Sequence, residues 1–186
     1  MKPALMLRNT PERFGIVTIS LHWLMALAII GLFALGLYMS DLSYADRFYH
    51  QAPWVHKSIG VLVFFALIVR GLWHRLSPTP QLLPAPRWEQ LAAKSTHGLL
   101  YSLILATTVS GYLMSTAKGH GVSVFDWFEL PALPAFLASQ EDIAGELHEI
   151  IAYLFMALVF LHAAAALKHH FWDKDATLKR MLGHRS

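Results

Sequence analysis

Ala144–Lys168, AGELHEIIAYLFMALVFLHAAAALK, is the stretch whose reading decides the fold. It is predominantly apolar, and its two histidines, His148 and His162, stand fourteen residues apart. At about 100° per residue, fourteen steps end only about 40° short of four full turns, so both imidazoles lie on nearly one helix face. At about 1.5 Å rise per residue they are about 21 Å apart along the axis, most of a membrane thickness.

Three other runs, about 16–39, 54–73 and 95–117, are equally apolar. Each reaches the roughly 20 residues that a hydrocarbon core requires. With 55% hydrophobic and 15% charged residues in a chain of 186, the composition is too apolar for an ordinary soluble domain. The expectation is an all-α, integral membrane four-helix bundle forming a single domain over 1–186. Its helices fall at about 14–39, 53–75, 91–117 and 144–169, with a tail over 170–186. The first run is too long for a signal-peptide core, and no small-x-small cleavage site closes it before Ser40.

Charge orients the bundle. Lys2, Arg8, Arg13, Arg70, Arg75, Arg87, Lys94, Lys168, Lys174, Lys179, Arg180 and Arg185 fall on the side of the two termini. Only Arg47, Lys57 and Lys118 fall on the other. The positive-inside rule then makes both termini cytoplasmic. Topology accounts for the basic balance, so no nucleic-acid partner is expected; the solvent of the bundle is membrane lipid. The outer side sets eight carboxylates against its three cations, a net of −5. Such a face repels anions unless a local positive funnel around Lys57, Arg47 or Lys118 overrides it.

The connections are short. DLSYADRFYHQAP leads to Pro53, which opens the second helix, and LSPTPQLLPAPRWEQLAAK should be an extended cytoplasmic loop. The longest, 118–143, contains the apolar FDWFELPALPAFLA and reads as a segment on the outer surface, a lid over a site there.

There are no cysteines, which excludes disulfides, iron–sulfur clusters, thiolate zinc sites and covalent haem attachment. Any haem must then be non-covalent and ligated by His or Met, and depth sorts the histidines. His56 and His148 each lie a few residues inside the outer end of their helices. His22 and His162 each lie one to two turns from the inner end of theirs. Two groups about 21 Å apart suit two haems stacked across a bilayer, not one zinc or copper ion, whose ligands converge within about 2 Å. His97 has the depth of His22, so depth alone leaves three candidates for two inner positions; its other roles are a hydrogen bond to a haem propionate or a quinone, or plain exposure to water. Arg70 lies fourteen residues after His56, on the same face at the inner level. It either meets a propionate there or snorkels to the inner headgroups. His50, His74, His120, His169, His170 and His184 fall in loops, at helix ends or in the tail and are read as non-ligands. Intramembrane carboxylates and broken helices, which a proton- or metal-relaying transporter would need, are missing.

SLHWL (20–24), HKSIGVLVFFALIVR (56–70), SPTP (77–80), HGLLY (97–101) and LHAAAALKHHFWDKDATLKRM (161–181) resemble the prokaryotic cytochrome b561 family over about residues 12–182. The resemblance implies a four-helix membrane bundle with two b haems, one held by His22 and His162 and the other by His56 and His148, with His97 outside the ligand set. It implies a membrane oxidoreductase that takes an electron from superoxide at the periplasmic face and gives it to ubiquinone. The other role it implies is a membrane-anchor cytochrome b subunit that passes electrons between a partner dehydrogenase and the quinone pool.

Overall fold

The structure is a computed structural model that describes residues 6–81 and 83–184; Lys2 and Arg185 lie outside the described residues. Four long helices dominate it: α1 Ile16–Ser40, α2 Gln51–Leu76, α3 Arg87–Thr116 and α4 Gln140–Phe171. All four are long and apolar enough to cross a membrane. A two-stranded hairpin, β1 Val122–Val124 and β2 Phe128–Leu130, lies between α3 and α4, and a single-turn helix, α5 Thr177–Met181, follows α4. Neighbours in sequence pack together, α3 with α4 most extensively, and α1 meets α4 only lightly. The two ends of the bundle are called here the arm end, with residues 6–15, the 77–86 connection and the tail, and the hairpin end.

Two helices start earlier than their apolar runs. α3 begins at Arg87, not 91, because Pro86 has a fixed φ and its carbonyl receives the amides of Glu89 and Gln90. The expected long loop is thereby reduced to 77–86. α4 begins at Gln140, not 144, with Glu141 and Asp142 in a first turn whose free N–H groups favour negative charge. Hydropathy marks the part of a helix that faces lipid, and these polar first turns lie outside that part. α2 starts two residues before Pro53, which is tolerated in a first turn where no helix bond to its nitrogen is needed.

Seven-residue steps organise the interior. Midway between His148 and His162 on α4 is Phe155, and midway between His56 and Arg70 on α2 is Val63. Both are buried, and with Met25, Leu67 and Ile104 they form the core cluster that separates the two histidine levels.

Both ends are fastened by polar contacts. At the arm end the buried Asn9 accepts from the Gly15 amide and the Thr18 hydroxyl, each at 2.8 Å, and donates from Nδ2 to the Pro78 carbonyl at 2.9 Å. Trp23 of α1 donates to the Met181 carbonyl at 2.8 Å, which ties the tail to the bundle.

The four-helix bundle is as expected, and at the hairpin end the connection before Gln140 adds the short β1–β2 hairpin to it. Phe125 and Asp126 both have positive φ, 49° and 58°, and the Trp127 amide closes the turn on the Val124 carbonyl at 2.9 Å. A phenylalanine in this conformation costs roughly 1–2 kcal/mol. Two contacts hold it: its amide donates to Ser58 Oγ at 3.1 Å, and its ring packs edge-on against Trp54 at 5.2 Å. The fully buried Ser58 hydroxyl in turn donates to the Ser123 carbonyl at 3.3 Å. Ser58→Ala leaves the Phe125 amide unpaired at a cost of about 1–3 kcal/mol. Amides of 122–130 should then exchange hydrogen roughly ten- to a hundredfold faster, read by mass spectrometry, with the mid-helix amides unchanged.

Candidate functional site

The depth pairing can be compared directly with the ring positions. At the hairpin end His56 of α2 and His148 of α4 face each other with ring centroids 6.1 Å apart. At the arm end His22 of α1 and His162 of α4 are 6.3 Å apart. All four rings are half-buried between helices. α4 thus presents one ring at each level, opposite α2 at one and α1 at the other.

The hairpin-end rings differ in their support. Nδ1 of His148 is 2.9 Å from the Thr107 carbonyl of α3, which can only accept, so Nδ1 carries the proton and the lone pair is on Nε2. Nδ1 of His56 is buried and makes no hydrogen bond of ordinary geometry. Beside this pair a cavity of about 440 Å³ opens at the end of the bundle, lined by Tyr49, His50, Trp54, Lys57 and Ser123 among others.

The arm-end group is larger. His97 of α3 stands 5.3 Å from His162, so the structure brings all three candidates together, but His97 is exposed where the other two are half-buried. Arg70 reaches the same level. Its Nη2 donates to Nδ1 of His22 at 3.2 Å and its Nε to the Tyr101 hydroxyl at 2.7 Å, with the guanidinium 5.5 Å from that ring's centre. Arg70 therefore points into the bundle and does not snorkel to the headgroups. Tyr101, Thr107 and Gly111, all on α3, are the neighbours that spacing did not single out; a hydroxyl or a missing side chain on an apolar helix reads as packing until its partner is known.

Two of the remaining histidines have contacts of their own. His169 Nδ1 contacts Asp173 at 2.7 Å in the tail, where the Lys168 ammonium and then His169 hold the Asp173 carboxyl below its usual range. His50 borders the hairpin-end cavity.

Residues 13–184 match the family model of prokaryotic cytochrome b561. The chain belongs to the prokaryotic cytochrome b561 family. It is 50% identical over 179 residues to cytochrome b561 homolog 2 of Escherichia coli (strain K12), covering 96% of this chain and 95% of that one. Cytochrome b561 homolog 1 of the same organism is 29% identical over 181 residues, 94% and 99% of the two chains. A Yersinia pestis protein named probable superoxide oxidase CybB is 28% identical over 178 residues, 92% and 96%.

As a cytochrome b561 the chain is a membrane electron-transfer protein of a b-haem family. Non-covalent haem agrees with a sequence that has no cysteine for thioether links. Within this family frame Tyr101 is a test of how Arg70 is held. Tyr101→Phe removes the neutral acceptor of a charged donor and should lower stability in detergent by roughly 1.5–3 kcal/mol, measured by thermal unfolding.

Proposed function

We propose that this cytochrome b561 is a single membrane domain of the bacterial inner membrane with its arm end in the cytoplasm. It binds two b haems, takes electrons from superoxide at the hairpin end and delivers them to ubiquinone. The carrying observation is the pair of ring separations, 6.1 and 6.3 Å, at two levels of one helix. Two imidazoles on opposite sides of one metal, with about 2.0 Å per N–metal bond and about 1.1 Å from nitrogen to ring centre, have centres about 6.2 Å apart. His56 and His148 fit one iron, and His22 and His162 fit the other.

At the hairpin end the hydrogen bond fits as well. His148 already carries its proton on the ring nitrogen turned to Thr107, which leaves the other free to ligate. At the arm end, ligation through Nε2 puts the His22 proton on Nδ1, to which Arg70 cannot donate. The guanidinium is then a half-buried cation available to a haem carboxylate. His97, exposed and edge-on to His162, stays outside the ligand set. Haem supplies reversible one-electron chemistry. Two superoxide anions release two electrons and two dioxygen molecules; with two protons the electrons convert one ubiquinone to ubiquinol.

For superoxide, support comes from the name of the Yersinia pestis relative and from Lys57. Lys118 is matched by Glu141 at 2.8 Å, and its hydrogen bond raises the Lys118 pKa. Arg47 lies over the Phe48 ring. Lys57 adjoins His56, lines the cavity and has no ion-pair partner among the described residues. It is the cation that can draw a small anion to this pair. Among the described residues, ten of the thirteen Lys and Arg side chains belong to the arm-end side, which favours the stated orientation. The second role, an anchor subunit for a dehydrogenase, draws on the exposed Trp127, Leu133 and Phe136 of the hairpin-end segment; stable co-purification with a dehydrogenase would favour it.

Haem quantitation tests the ligands. Two haems per chain are expected in the wild type and in His97→Ala, and one each in His148→Ala and His162→Ala; unchanged content in both of the latter refutes the pairing. Stopped-flow reduction by a superoxide flux, with ubiquinone reoxidising the protein, tests the substrates. Lys57→Glu should lower the superoxide rate about tenfold at low salt, with the deficit shrinking as salt rises.

A further inference from the structure

α3 supplies neither ligand of the hairpin-end pair, yet one of its turns fits closely against His148. A Cβ placed on Gly111 would lie 2.9 Å from Cε1 and 3.0 Å from Nδ1 of the imidazole, closer than a Cβ can stay without displacing the ring. The carbonyl that receives Nδ1 belongs to Thr107, the residue to which the Gly111 amide bonds along the helix. Ser110 Oγ, between them, donates to the same carbonyl at 3.0 Å and lies 3.4 Å from Nδ1. One turn thus offers a gap of side-chain size, an acceptor at its rim and a hydroxyl that competes for that acceptor. His56 has no equal support: a Cβ on Gly36 would meet its Cε1 at 3.5 Å, an ordinary contact. At Gly31 and Gly98 a Cβ would meet nothing within 4 Å.

We infer that the Thr107–Gly111 turn of α3 is a positioning seat for His148. It fixes the rotation and the basicity of that ring, and through them the reduction potential of the hairpin-end haem but not of the other. The inference rests on the reading of His148 as a haem ligand. A ring N–H that donates to a carbonyl makes the opposite nitrogen a stronger donor to the metal, which favours the oxidised iron. Gly111→Ala pushes the ring off the seat and stretches this bond. Ser110→Ala removes the competing hydroxyl and strengthens it. The two substitutions should therefore move one potential in opposite directions.

The test uses the whole haem-loaded protein in detergent, with haem quantitation, redox titration and electron paramagnetic resonance of the oxidised low-spin signals. Alanine is the better helix former, so Gly111→Ala brings no helix defect of its own. In this variant the hairpin-end haem should be partly lost or titrate at a higher potential with a displaced resonance signal, while the arm-end haem keeps its wild-type values. Ser110→Ala should retain both haems and lower the hairpin-end potential. Gly31→Ala and Gly98→Ala should match the wild type in every readout. Wild-type potentials and signals in Gly111→Ala overturn the inference; if that variant does not accumulate, an unshifted potential in Ser110→Ala overturns it. His148→Ala that keeps both haems overturns the ligand reading instead, so the two failures are distinguishable.

Discussion

An imidazole inside a membrane span must find a partner, because hydrocarbon offers none. α4 carries two such rings, and its seven-residue steps turn His148, Phe155 and His162 toward the same interior line. The other helices are arranged by that requirement. α2 answers with the same period in His56, Val63 and Arg70, so that a ring meets a ring at one level and apolar side chains meet at the middle. At the arm-end level α2 offers a cation, and α1 provides the facing ring in His22. The apolar layer between is as necessary as the polar ones, since it keeps two costly groups from sharing one hydrated channel.

The ends of the bundle then have to hold that register. Asn9 joins the arm to the 77–86 connection, and Trp23 joins α1 to the tail, so an axial slip of α1 would break contacts on several segments. Ser58 does the equivalent at the hairpin end. It lies two residues beyond His56 and binds both strands' turn and the backbone before it, so the strained turn is clamped directly to the helix that carries the ring. Loops fixed in this way serve the spacing of the rings and not only their own conformation.

The four helices were legible in the sequence because the requirement to span hydrocarbon is written in composition, and the pairing by level was legible because rise per residue is constant. Helix starts were less so: Arg87 and Gln140 begin their helices in polar turns that hydropathy does not register. The hairpin was read as a surface segment because nothing in VSVFDWFEL announces a turn with Phe125 and Asp126 at positive φ; no glycine marks it, and the stabilising serine is 67 residues away. At the arm end depth leaves three histidines for two places, and the structure brings all three rings to one level, with His97 the most exposed. Nothing in the spacing marks Gly111, because what approaches it is a ring carried by another helix.

The charge of the hairpin-end side also changes meaning once positions are known. A net of −5 argues against an anionic substrate only if the substrate feels the whole face. At about 0.1 M salt the Debye length is about 10 Å, so exposed charges beyond that distance are largely screened. What a small anion meets near His56 is then the field of the nearest groups. Glu141 is matched by Lys118, whereas the Asp126 carboxylate, which accepts from the cavity-lining Ser123 hydroxyl, keeps its charge. Among the described residues Lys57 has no carboxylate within ion-pair distance, and it borders a cavity whose Trp54 and Tyr49 walls have a lower dielectric constant than water and sharpen its field. The remaining carboxylates can even help selectivity, since they turn away larger polyanions that span more of the face than one lysine can offset.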